Sequence, residues 1–213
     1  MRRISTDIWR LAGAFGLLLT TAASLPPKDE CAAEPGFAAF RTELQDIVAR
    51  RDSAKLMTLL APEISNGFSG DDGPIWFRKI WMLDEVPPAP SVWTELSALL
   101  ALGCAKGDGW LAMPYLYQRV PDEEDPFDVL VAIGSSVALR AAPSDDSPLV
   151  ATLDWEILKT ENAEAPEPWI KVRTGSGATG FVRRPEVRSP IDYRALFERK
   201  SGKWFMTALL AGD

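Results

Sequence analysis

The chain has 213 residues, of which 46% are hydrophobic and 25% charged, with a formal charge of −7, two Cys and no His. The acidic balance argues against a nucleic-acid partner and against an anionic membrane face, since both reward a basic patch. A sequence without His cannot build His-based triads, Cys-His hydrolases or the usual His-rich zinc sites.

The first residues read as an export leader. Arg2, Arg3 and Arg10 give a basic start, residues 11–21 a short apolar run, and Thr21-Ala22-Ala23-Ser24 the small residues that signal peptidase reads. The run is too short for a permanent membrane helix, so a signal peptide over residues 1–24 and no stable membrane span after cleavage are expected, the alternative being an N-terminal anchor left uncleaved. Cleavage removes three Arg and one Asp, which moves the formal charge to about −9 and leaves about 189 residues. Cys31 follows Lys28-Asp29-Glu30, not the small and apolar residues of a lipoprotein signal. An even Cys count in an oxidising compartment points to a Cys31–Cys104 disulfide, the alternative being two unpaired thiols. The bridge would close a loop of about 74 residues and stabilise the fold by about 4 kcal/mol on the chain-entropy model.

Residues 25–120 read as a helical N-terminal domain. Phe37, Phe40, Leu44, Ile47 and Val48 recur at a period near 3.6, and Asp52 is placed to cap a second helix whose stripe is Leu56, Leu59 and Leu60, ended by Pro62. A Gly- and Asp-rich loop over residues 66–73 leads to Pro74, which suits the first turn of a third helix bearing Trp76, Phe77, Ile80 and Trp81. Ser91 opens a fourth, with Trp93, Leu96, Leu99 and Leu100 on its buried side. Trp76, Trp81 and Trp93 are expected in the core.

Residues 121–128 read as an acidic linker. Asp122-Glu123-Glu124-Asp125 lacks the alternating Asp/Asn and Gly of a calcium loop, and no metal or cofactor is expected. From 129 to 190 five short strands are expected, over residues 137–140, 149–153, 155–159, 169–172 and 179–182, with turn chemistry at Pro143-Ser144-Asp145-Asp146 and Gly175-Ser176-Gly177. Such strands suit a closed or half-closed barrel. Residues 191–213 read as a hairpin turning at Ser201-Gly202 and apolar on both faces, which implies burial against the body.

The run Val137-Ala138-Leu139-Arg140-Ala141-Ala142-Pro143-Ser144, then Trp169-Ile170-Lys171-Val172, then Gly177-Ala178-Thr179-Gly180-Phe181-Val182, resembles the bacterial SH3-like (SH3b) domain of envelope and secreted proteins. The ending Tyr193-Arg194-Ala195-Leu196-Phe197-Glu198, Gly202-Lys203-Trp204 and Ala211-Gly212-Asp213 is similar to the tail of a group of uncharacterised proteins that carry such domains. Phe181 stands where the family often has Trp, and Asp154 where it usually has Gly. The resemblance implies an α+β protein: a helical N-terminal domain, a small SH3-like β-barrel and a C-terminal β-hairpin.

It also implies a periplasmic or secreted binding or adaptor protein that is not an enzyme, with peptidoglycan or its peptide stems as the first ligand to test and an envelope protein as the next. The groove residues it points to are Arg140, Trp155, Trp169 and Phe181, of which Trp169 and Phe181 read more readily as core than as groove. Two rivals remain. A glycosidase needs only two carboxylates at about 5–10 Å, with Glu63, Asp71, Asp72, Asp84 and Glu85 as candidates beside aromatic residues. A structural accessory protein would have its barrel covered by the helices and tail.

Overall fold

The computed structural model describes residues 23–87, 90–161, 163 and 167–212. The expected leader lies outside the described residues as far as residue 22, as do parts of the Pro-bearing loops near residues 88 and 165.

Helix α1 (Phe37–Arg50) buries all five residues of the expected stripe. Asp52 caps α2 (Ser53–Thr58) by accepting a hydrogen bond from the Lys55 N–H at 3.0 Å. The chain then departs from the expected helix: Leu60 opens strand β1 (Leu60–Ser65), in which Pro62 is tolerated because β1 is an edge strand. Helix α3 (Pro74–Ile80) begins on its proline, and Ser91 caps α4 (Val92–Ala101) through the Thr94 N–H. Two further strands follow, β2 (Ala105–Lys106) and β3 (Trp110–Met113). The N-terminal part is therefore mixed, not all-helical; its short apolar runs pair with distant strands, and periodicity does not register that.

The next strands are β4 (Val129–Ala132), β5 (Val137–Arg140), β6 (Leu149–Leu153), β7 (Ile157–Lys159), β8 (Trp169–Thr174), β9 (Thr179–Arg183) and β10 (Val187–Arg188). All five expected strands are present. Only the third starts late, because Trp155 sits at φ 51 in the turn before β7. The strands form one sheet in the order β10-β4-β7-β8-β9-β5-β6, whose inner faces enclose a core of Leu130, Leu139, Leu158, Ile170, Val172 and Val182. Gly180 is required where β9 crosses β5, since a Cβ there would lie 2.5 Å from the Arg140 carbonyl oxygen. The sheet is open, which overturns the closed form of the expected closed or half-closed barrel: among the described residues β6 pairs only with β5 and β10 only with β4. Closure would need a β6–β10 ladder, but β10 is two residues long and leads away toward the helices.

Strands β11 (Arg194–Lys200) and β12 (Lys203–Leu210) form the expected hairpin, turning on Ser201 and Gly202, both at positive φ. They occupy the centre of the other sheet, in the order β1-β12-β11-β3-β2. The tail is thus the middle of the helical part's own sheet. Phe197, Met206 and Leu209 join Phe37, Phe40, Phe77 and Leu96 in one core, and Trp204 Nε1 donates to the Pro35 carbonyl at 3.0 Å. The architecture is α+β, with two sheets and four α-helices among the described residues.

Three features join the two sheets. Strand β4 is buried on both faces: Leu130 and Ala132 enter the core of the second sheet, while Val129 and Val131 pack with Ile157 against Leu116 on the turn that follows β3. Arg188 on β10 donates to the Glu95 carboxylate of α4 at 2.5 Å, with both side chains about nine-tenths buried. The segment before α1 bonds to the second sheet at Leu25, whose N–H meets the Trp155 carbonyl at 2.7 Å, and to the first at Asp29, which bridges Cys104. A disulfide joins Cys31 to Cys104 with Cα atoms 5.8 Å apart. Gly103 admits this segment, because a Cβ there would lie 2.4 Å from the Lys28 carbonyl oxygen. Among the described residues no helix is long and apolar enough to cross a membrane.

Candidate functional site

Alternation along β8 and β9 sorts their side chains into two sets. Ile170, Val172, Thr174, Gly180 and Val182 face inward and are buried. Trp169, Lys171, Arg173, Thr179, Phe181 and Arg183 face outward, and direct cross-strand partners set Trp169 opposite Arg183, Lys171 opposite Phe181 and Arg173 opposite Thr179. On the neighbouring strand Lys159 lies opposite Arg173. All of these except Arg183 line a cleft of about 540 Å³, together with Thr160, Glu161 and Glu167. That size falls in the range of small-ligand sites.

Two of the four residues that the resemblance points to meet here: Trp169 and Phe181 both line the cleft and both are half-buried, so neither is core. The Trp169 ring lies under the Arg183 guanidinium at 5.2 Å, and Arg183 in turn grips both Asp145 oxygens. That carboxylate pushes the Arg183 pKa further up, so the charge over the ring is permanent. Arg140 lies beside Phe181 in the β5–β9 register but outside the cleft lining, and its Nη1 donates to the Ser147 carbonyl at 2.9 Å, bracing the loop after β5. Trp155 is elsewhere, in the turn before β7, where its backbone meets Leu25 and Gly134. Lys171 and Arg173, which sequence reading passed over, are exposed on the floor, and among the described residues their side chains have no ion-pair or hydrogen-bond partner. Their signal was legible as the period-two spacing of cations in Trp169-Ile170-Lys171-Val172-Arg173.

Four of the five acids considered for glycoside hydrolysis have partners in the fold. Glu63 pairs with Lys200 and Asp84 with Arg78; Asp72 accepts from the Asn66 N–H at 3.0 Å and Asp71 from the Ser69 hydroxyl at 3.3 Å. Glu85 is exposed after α3. In the acidic linker Glu124 pairs with Lys159, and Asp125 accepts from the Phe127 N–H. Among the described residues the one cluster with metal-like spacing is Asp29, Cys31 and Cys104, and the disulfide consumes both sulfurs. The expectation for Trp76 is corrected: α3 turns Phe77 and Trp81 inward and leaves Ile75, Trp76 and Ile80 exposed, with Lys79 over the Trp76 ring. Trp81 is buried and Trp93 half-buried against the core.

No protein-family model matches the chain, and no curated protein matches it. Among solved structures, a chain whose name begins Rd1NTF2 covers 83% of this chain and 96% of its own length at 11% identity with a TM-score of 0.29. A likeness of that size supports no conclusion about fold or function.

Proposed function

We propose that this is an extracytoplasmic binding protein without enzymatic activity, that its second sheet is an SH3b-like module, and that the ligand is the cell wall, through peptidoglycan or its peptide stems. The observation that carries this reading is the asymmetry of the sheet. Its β4–β7 side is sealed against the rest of the protein, while its β8–β9 side presents an open cleft with Trp169 and Phe181 in it. A sheet serving only as packing would have no reason to keep two large aromatic side chains half-exposed beside cations that have no partner among the described residues. The disulfide and the leader-like start of the sequence both fit export.

Mature protein incubated with isolated sacculi and sedimented tests the reading. Protein in the pellet with no released sugar supports it, released fragments favour the glycosidase, and protein left in the supernatant refutes wall binding. A second reading, an adaptor for an envelope protein, is favoured by the apolar residues exposed on and after α3: Ile75 is 84%, Ile80 45% and Val86 92% exposed. It predicts the last of those outcomes.

A further inference from the structure

We infer that the β8–β9 cleft recognises its ligand through a carboxylate, held by Lys171 and Arg173, on a short wall peptide whose uncharged body packs on Trp169 and Phe181. This rests on the wall-binding reading above and names the chemistry by which it works. The protein carries a formal charge of −7, yet the outer faces of β8 and β9 contain three cations and no acid. Each cation has a different status. Arg183 is occupied by Asp145 and serves to hold the Trp169 ring. Lys171 and Arg173 project from one strand two residues apart, so their Cα atoms lie about 6–7 Å from each other on the same face.

The fold works against this arrangement. Arg173 lies directly opposite Lys159, and like charges in that position are destabilising. Glu124 neutralises Lys159, but nothing among the described residues neutralises Arg173. A carboxylate from the ligand supplies the missing countercharge, and the Arg fork accepts it in bidentate fashion. Acids in the lining narrow the choice of anion. Glu161 and Glu167 line the same cleft, so a continuous polyanion would meet two like charges there. A peptide with a carboxylate at one end and a neutral or amine-bearing remainder meets no such conflict.

The test is calorimetric titration of the mature protein with soluble peptides released from sacculi, native or with their carboxylates amidated, run beside the sacculus sedimentation. Native peptides should bind, amidation should weaken binding about tenfold or more, and the Lys171→Gln/Arg173→Gln variant should bind native peptide as weakly as wild type binds the amidated one. Lys203→Gln, exposed at the hairpin turn, should leave affinity unchanged. Equal binding of native and amidated peptides overturns the carboxylate inference and leaves wall binding standing. Wild-type protein that neither binds peptide nor sediments overturns both. Sedimentation without peptide binding, or binding to glycan stripped of its peptides, overturns the inference alone and moves the ligand to the glycan strand.

Discussion

The ion pair between Arg188 and Glu95 offers a sharp energetic test, because it joins the two sheets from inside the protein. Arg188 Nη2 lies 2.5 Å from Glu95 Oε1 and 2.6 Å from the Tyr193 carbonyl, and the two side chains are only 10% and 11% exposed. Replacing Arg188 by Met leaves a carboxylate with little access to water and no countercharge. Replacing Glu95 by Leu strands a guanidinium in the same place. Each single substitution should cost about 3–5 kcal/mol, whereas removing both partners should cost much less, because the desolvation of two ions is then also relieved. For a chain of this size that corresponds to a fall in Tm of about 6–20 °C for each single variant. Urea and thermal unfolding of the two singles and the double complete the cycle. Two singles that each lose under about 1 kcal/mol, or a double that loses their sum, would refute the claim that the pair is buried and coupled.

Other outcomes follow from the same structure. Gly180→Ala should destabilise the second sheet, since the added Cβ would meet the Arg140 carbonyl at 2.5 Å; unfolding midpoints equal to wild type would contradict the close β5–β9 approach. Cys31→Ala/Cys104→Ala should lose about 4 kcal/mol in denaturant unfolding, and no loss would mean that the bridge does not constrain the unfolded chain. The hydrogen bond from Arg41 holds Asp29, and that from Arg119 holds Glu30, below their ordinary carboxylate pKa values. Both groups therefore contribute stability that is complete above their unfolded pKa values and is lost as pH falls through the depressed folded ones. Unfolding free energy should hold level down to about pH 5 and decline below about pH 4.5. Arg119→Gln should lower the plateau and soften the decline, and a curve merely displaced in parallel would contradict the linkage.

What the sequence disclosed follows the range of the interactions involved. The α1 stripe was legible because Phe37, Phe40, Leu44, Ile47 and Val48 all enter one core from one face of the helix. Strand β8 was legible because one face is wet and the other dry, which writes strict alternation into Trp169-Ile170-Lys171-Val172-Arg173. Strands β1 and β3 were not, since Leu60-Ala61 and Trp110-Leu111-Ala112-Met113 are short apolar runs without a period. What makes them strands is the hairpin from the far end of the chain, with Met206 opposite Leu60 and Phe197 opposite Leu111. On α3 both faces are apolar, so the sequence could not tell that Phe77 is buried and Trp76 exposed. At the site, Trp169 and Phe181 came from the resemblance, whereas Lys171 and Arg173 gained meaning only when the fold set Arg173 opposite Lys159 with no ion-pair partner of its own among the described residues.

The central claim is that the open β8–β9 face is where this protein meets its ligand. Sacculus sedimentation with wild type and with Trp169→Ala/Phe181→Ala, each first matched for cooperative unfolding, tests it most directly. The account predicts that wild type sediments, that the double variant stays in the supernatant, and that Trp155→Ala, whose ring lies outside the cleft, sediments as wild type does. A folded double variant that sediments as well as wild type would contradict it.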